Sequence, residues 1–274
     1  MQMSGRLRIA GWLVGAGVLT ASLPAAAQSA SEPPLDPAVI QDLITANRIL
    51  ANEGVVDAFG HVSIRDPRNP NRYIQTRSVA PYLVTEKDVL VFDLDSNPMD
   101  PTVRCGCYLE RFIHGEIYKA RPDVQAVIHT HSPTVVPFAN VPRSPLKPML
   151  HNAAFIPANG APVFDTRKEF GATDLLVRNP AIGKALARTL GNNSVVLMRG
   201  HGDTVVGASI RIAVWRAIYT EVNARMTIAA KTLGEPIVTL NAEETAITDK
   251  QMQGPGETAR TWDMWRARLP KREP

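Results

Sequence analysis

The sequence predicts an α/β fold built as one domain. Three observations lead there. Apolar residues recur at helical spacing in two stretches, one opening at Pro37 and a longer one at Ser209. Three short strand-like runs, residues 61–65, 72–76 and 89–93, are parted by the turn clusters Asp66-Pro67-Arg68-Asn69-Pro70 and Asp95-Ser96-Asn97-Pro98, the pattern of an antiparallel meander. Two further apolar runs, 126–131 and 194–198, each follow a helical stretch. The chain has 274 residues, 45% of them hydrophobic, which is enough to bury a large core. No internal repeat or low-complexity tract divides it.

In chain order, the N-terminus reads as a leader. Arg6 and Arg8 precede an apolar stretch from Ile9 to Leu23, and Pro24-Ala25-Ala26-Ala27-Gln28 carries a small-residue cleavage pattern. The stretch is shorter than the roughly 20 residues a spanning helix needs. Residues 1–27 are therefore expected to be a signal peptide cut after Ala27. That leaves an exported protein, periplasmic or secreted, with no stable membrane span. Residues 28–36 read as a flexible lead-in, 37–240 as the folded domain and 241–274 as a polar tail. The formal charge is +4, from 30 basic and 26 acidic residues, with no basic tract, so no nucleic-acid partner is expected.

Asp36 caps the first helix, Pro37 takes its first position, and Gly54 follows its end. After the meander, 109–120 reads as one helix closed by Arg121-Pro122-Asp123, with Glu110 and His114 four apart on one face. The run 126–131 is a strand, and Ser132-Pro133 opens a short helix. Residues 141–162 are rich in Pro and Asn; they are expected to be irregular and contain His151. Asn179-Pro180 starts a helix closed by Gly191, and 194–198 is a buried strand. Ser209 caps a long helix to about Leu233, with Ile212, Trp215, Ile218, Tyr219, Val222 and Met226 as its packing stripe. Trp262 and Trp265 are expected to dock on the domain or on a neighbouring subunit. Cys105 and Cys107 are separated only by Gly106; a bridge across one residue is strained, so none within the chain is expected.

The chemistry concentrates in Val127-Ile128-His129-Thr130-His131-Ser132. Alternate side chains of a strand point the same way, so His129 and His131 leave it on one face. Two neutral imidazoles so placed suit a divalent metal. A third, His201, stands in Leu197-Met198-Arg199-Gly200-His201-Gly202, where an apolar run breaks into glycines. The spacing predicts a metal site of His129, His131 and His201, with Glu110 beside it as the acid/base. Three imidazoles with open positions suit one Zn²⁺ or Mn²⁺ per subunit, and the sequence does not choose between them.

Six pieces of the chain resemble the class II aldolase/adducin family: Gly60-His61-Val62-Ser63-Ile64-Arg65, Glu110-Arg111-Phe112-Ile113-His114, Arg121-Pro122-Asp123, His129-Thr130-His131, Phe170-Gly171 and Gly200-His201-Gly202. The resemblance runs from about residue 38 to 235 in the same order. It implies a three-layer α/β/α domain with a central, mostly antiparallel sheet, and a homotetramer with active sites near subunit contacts. Carried over residue by residue, it makes His129, His131 and His201 the metal ligands and Glu110 the catalytic acid/base, the same four that spacing suggests.

The departures bear on the substrate. Sugar-phosphate aldolases of the family hold phosphate with the Asn of a Gly-Asn-Val-Ser segment, a Thr-Gly turn and a Ser-Ser pair before the glutamate. Those places here read His61, Ser78-Val79 and Tyr108-Leu109. A phosphate dianion needs several converging donors, and these positions no longer supply them. His61, Arg77, Ser78 and His151 suit a planar carboxylate or a hydroxylated ring instead. In this the chain looks more like the family branch of metal-dependent decarboxylases of hydroxylated aromatic or pyridine dicarboxylates. The expected partner is a small-molecule carboxylate. The alternatives are a class II aldolase, epimerase or dehydratase acting on a sugar or other hydroxy-carbonyl compound, and a non-catalytic adducin-like interaction domain.

Overall fold

The computed structural model describes residues 1–2, 33–104 and 106–271. The cleavage site and nearly all of the expected signal peptide lie outside the described residues, as do the first residues of the lead-in. The chain divides into two compact units, Met1–Pro34 and Leu35–Pro274, and every described helix and strand belongs to the second. In order these are α1 (Pro37–Asn52), β1 (His61–Arg65), β2 (Arg72–Thr76), β3 (Val89–Asp93), α2 (Phe112–Ala120), β4 (Ala126–Thr130), α3 (Val136–Asn140), β5 (Val163–Phe164), α4 (Arg167–Phe170), α5 (Pro180–Leu190), β6 (Val195–Met198), β7 (Gly202–Gly207), α6 (Ile210–Lys231), α7 (Ala242–Met252) and α8 (Pro255–Ala267).

Local chemistry sets the element ends. The Asp36 carboxylate accepts the Ala38 amide at 2.8 Å ahead of Pro37, so α1 starts where the sequence places it. Asn179 and Ser209 cap α5 and α6 in the same way, accepting the Ile182 and Ile212 amides. The sheet has seven strands in the order β3-β2-β1-β4-β7-β6-β5. Every pairing is antiparallel except β5 with β6, so the expected mostly antiparallel sheet holds.

Strand alternation then builds three layers. In β4 and β6, Ala126, Ile128, Val195 and Leu197 join one core cluster with residues of α1, α3, α6 and α8. Their neighbours Val127, Val196 and Met198 point the other way, into a second cluster with α2 and α5. Strands buried on both faces read as continuous apolar runs, which is why 126–128 and 195–198 carry no polar alternation.

Several expectations are corrected. The helix expected over 109–120 is two pieces: Leu109–Arg111 is a 3₁₀ turn, and Glu110 leaves helical geometry at φ −92°, ψ 17° before α2 begins. β7 was not expected, because Gly-Asp-Thr-Val-Val-Gly carries turn residues at both ends; it is a strand because β4 and β6 pair with it on either side. β5 and α4 are too short for a periodic signal. The tail is helical, with Asn241 and Glu244 forming a reciprocal cap on α7. Trp262 and Trp265 are buried in the first core cluster, so the tail docks on its own domain. Cys107 is disulfide-bonded, against the expectation of no bridge; Cys105 lies outside the described residues. Among the described residues, no helix is long and apolar enough to cross a membrane.

Candidate metal centre

β4 is the middle strand of the seven and carries His129 near its end. By alternation His129 faces the α2 side with Val127, directly opposite His61 on β1. The chain leaves the strand through His131, and two buried carboxylates fix its path. Thr130 donates its hydroxyl to Asp203, while Ser132 and Thr134 donate theirs to Glu221 on α6. His201 sits in the tight turn between β6 and β7, where Gly200 has φ +68°, a left-handed backbone that glycine adopts without a steric cost.

The β4–β7 pairing brings these pieces together. Gly202 approaches so closely that a methyl group on it would overlap the Thr130 carbonyl oxygen. Gly202→Ala must therefore force β4, which carries His129, away from β7, whose first residue follows His201. We expect a loss toward the upper end of overpacking costs, about 3 kcal/mol, seen as a lower urea midpoint together with weaker metal retention.

Three imidazole nitrogens and one carboxylate oxygen converge. His131 Nε2 lies 3.0 Å from His129 Nε2 and 3.0 Å from His201 Nε2. Glu110 Oε2 lies 3.4 Å from His129 Nε2 and 3.3 Å from His201 Nε2. The donor atoms of all four residues fall within 4.8 Å of one another, close enough to share one ion. The opposite ring nitrogens support that fit. His129 Nδ1 donates to the Asp203 carbonyl at 3.0 Å, and His201 Nδ1 to the Leu175 carbonyl at 3.1 Å. Each of those bonds holds a proton on Nδ1 and leaves a lone pair on Nε2. Lone pairs aimed at one point are a donor set for a cation.

Glu110 owes its position to the break before α2. Arg111 holds that turn, donating from Nε to the Ser96 carbonyl at 2.8 Å and from Nη1 to the Tyr108 carbonyl at 3.1 Å. Glu110 Oε1 accepts the Val177 amide at 2.9 Å, which leaves Oε2 for the cluster. Burial pushes this carboxyl up, but with no cation between them, protonated His129 and His201 rings outweigh it through charge and hydrogen bonds and hold it well below the usual carboxylate range. Burial, aided by His129 and His201, pushes the His131 ring down to about 4, so it is neutral near pH 7 and able to ligate a cation.

A cavity of about 460 Å³ opens over the cluster. Its walls are largely apolar: Phe59, Val79, Tyr108, Leu109 and Leu176, with His61, Ser78, Glu110 and His131 as its polar side chains. Phe59 stacks on His131 at 6.0 Å between ring centres, and Tyr108 packs on His61 at 4.5 Å. Of the residues expected to bind substrate, His61 and Ser78 line this cavity. Arg77 and His151 are not among its lining residues. The half-exposed Arg77 pairs through Nε with Asp88 Oδ1 at 2.6 Å, and His151 is exposed on a short 3₁₀ turn beside α6 and α7. His114, four residues after Glu110, joins His61 rather than the metal cluster, at 2.6 Å.

Residues 41–228 match the family model of the class II aldolase and adducin N-terminal domain. The chain belongs to this family. Among relatives of the class II aldolase/adducin family, a decarboxylase, tropJ, of Talaromyces stipitatus is 36% identical over 247 residues, covering 82% of this chain and 92% of that protein. A 3,4-dihydroxyphthalate decarboxylase of Arthrobacter keyseri is 30% identical over 237 residues, covering 82% and 90%. The solved structure of an aldolase II superfamily protein from Pseudomonas syringae superposes with a TM-score of 0.71 at 24% identity, covering 86% of this chain and 94% of that one. The α/β/α reading from sequence is thus the fold of the class II aldolase/adducin family. Helices α7 and α8 lie beyond the residues its model matches.

Proposed function

We propose that this chain is a divalent-metal-dependent decarboxylase of a hydroxylated aromatic or heteroaromatic carboxylate. The observation that carries the reading is the adjacency of two things: a three-imidazole cluster with a carboxylate, and a cavity walled by aromatic and aliphatic side chains. Such walls suit a flat ring. The polar side chains that remain, His61 and Ser78, are too few to replace the hydration of a phosphate dianion. The decarboxylases among the relatives support the same choice.

His129, His131 and His201 would hold the ion, with Glu110 Oε2 at its edge. A divalent ion held there, Zn²⁺ or Mn²⁺, supplies a Lewis acid that draws electron density from a substrate oxygen. Glu110 is ionised at rest and close to where a substrate hydroxyl would bind, so it first takes that hydroxyl's proton. The bond between ring carbon and carboxylate then breaks, its electron pair stays with the ring, and CO₂ leaves. Glu110 returns the proton to the carbon that lost CO₂. Phe59, Tyr108 and Leu176 exclude water from the carbanionic carbon, and His61 orients an oxygen of the substrate.

The test is a pair of incubations with metal-loaded protein. A hydroxyphthalate-type acid should release CO₂, and a ketose phosphate should release no aldehyde. Chelator treatment should abolish the first reaction. Aldehyde from the ketose phosphate without CO₂ from the acid would replace this proposal with an aldolase. No metal uptake and no turnover at all would favour a non-catalytic interaction domain.

A further inference from the structure

Behind the cavity a line of buried polar side chains runs from α2 to the pocket wall. Tyr118 OH lies 2.8 Å from Ser63 Oγ. Ser63 Oγ lies 2.6 Å from His114 Nδ1, and His114 Nε2 lies 2.6 Å from His61 Nδ1. All four residues are at most 3% exposed. The metal cluster does not require this line, and a core does not bury four polar side chains in series without cost. His61 is the member that lines the cavity. Its Nδ1 is occupied by His114, and among the described residues its Nε2 has no hydrogen-bond partner.

Each link needs one donor and one acceptor, so the whole line has a direction. It runs either from Tyr118 to His61 or the reverse, and the ends decide which. Among the described residues the Tyr118 hydroxyl has Ser63 Oγ as its one hydrogen-bond partner, so its buried proton has Ser63 as its acceptor. Ser63 then donates to His114 Nδ1. His114 carries its proton on Nε2 and donates to His61 Nδ1, which places the His61 proton on Nε2. At the other end Gln75 Nε2 stands 3.5 Å from His61 Nδ1, leaving Gln75 Oε1 without a partner. Exchanging the two amide atoms of Gln75 would favour the opposite direction, but that contact is much longer than the Tyr118–Ser63 bond and the weaker of the two. Both rings are buried, and burial disfavours a charged imidazolium, so each keeps one proton.

We propose that His61 is a fixed N–H donor to an oxygen of the substrate, its tautomer set by Tyr118, Ser63 and His114 acting in series as positioning residues. A fixed donor selects an acceptor such as a carboxylate oxygen and penalises a substrate that offers its own N–H there. This deepens the decarboxylase reading and rests on it only for the identity of the oxygen; the tautomer does not depend on it.

Long-range ¹H–¹⁵N correlation on zinc-loaded, ¹⁵N-histidine-labelled protein tests the tautomer without turnover. The chain has 6 histidines, so His61→Gln suffices to assign the signal. The expected result is a protonated Nε2 and an unprotonated Nδ1 on His61. Ser63→Ala should blur that assignment into a tautomer mixture and raise KM for the carboxylate substrate about fivefold, the worth of one neutral hydrogen bond, with a smaller change in kcat. If Ser63→Ala fails to fold, Tyr118→Phe breaks the same line while keeping the ring. Nδ1 protonation of His61 in the unaltered protein would overturn the proposal, as would a folded variant with unchanged tautomer and unchanged KM. Failure to find any decarboxylation would remove the proposed reaction and leave the tautomer result standing.

Discussion

His129→Ala should lose bound metal and turnover together. Of the four converging residues, His129 is the one the fold holds most firmly: it is fully buried at the middle strand, bonded through Nδ1 to Asp203, with Nε2 pointing at His131 and Glu110. Removing an outer partner of a metal ligand commonly costs about 10–100-fold in affinity, and removing the ligand itself should exceed that. Atomic spectrometry after dialysis should therefore find metal well below one ion per chain, with kcat down in proportion. The substitution also leaves a void and frees the Asp203 carbonyl, so part of any loss could be structural. His131→Ala separates the two effects. His131 sits beyond the strand end and is only half-buried, so its removal opens no void inside the sheet. If both variants lose metal while keeping their far-UV circular dichroism, coordination is the cause. Full activity in a metal-free His129→Ala protein would dismantle the centre.

What the sequence disclosed follows from which signals are local. Asp36, Asn179 and Ser209 announce helix starts because a cap is written within four residues, and the structure has helices at all three. The alternation of His129 and His131 is equally local. His201 is 70 residues beyond His131, yet its glycine flanks marked it as a turn, and pairing of β4 with β7 delivers it to the cluster. What stayed hidden depends on partners distant in sequence. β7 is polar and glycine-bounded and becomes a strand only between β4 and β6. The break at Glu110 is set by Arg111 reaching back to Ser96 and by Val177 reaching across. The line behind His61 was half visible. Ser63 is two residues from His61 on a strand and Tyr118 is four from His114 on a helix, so each pair shares a face. Nothing in the sequence says that those two faces meet. Arg77 was singled out for its charge alone, and the Asp88 carboxylate that the fold sets against its Nε was equally invisible in the sequence.

Glu110→Gln should keep the metal and lose the reaction. The amide matches the carboxylate in shape, so its oxygen can still accept the Val177 amide where Oε1 does now, at 2.9 Å. The three imidazoles remain, and metal content should stay close to that of the unaltered protein. What disappears is a group that can take and return a proton. General acid–base groups typically contribute 10²–10⁴-fold, so kcat should fall by about that factor while KM for the carboxylate changes little. Retention of metal distinguishes this outcome from His129→Ala, and unchanged kcat would remove Glu110 from the mechanism. The electrostatics add a constraint on pH dependence. Because the neighbouring rings hold Glu110 well below the usual carboxylate range despite its burial, it stays ionised as the pH falls through the range where the protein is assayed. Loss of activity on the acid side should therefore track release of metal from the imidazoles, and excess metal should move that limb to lower pH. A limb that excess metal leaves in place, and that Glu110→Gln abolishes in the residual rate, would instead mean that Glu110 titrates in the working range and begins the cycle protonated.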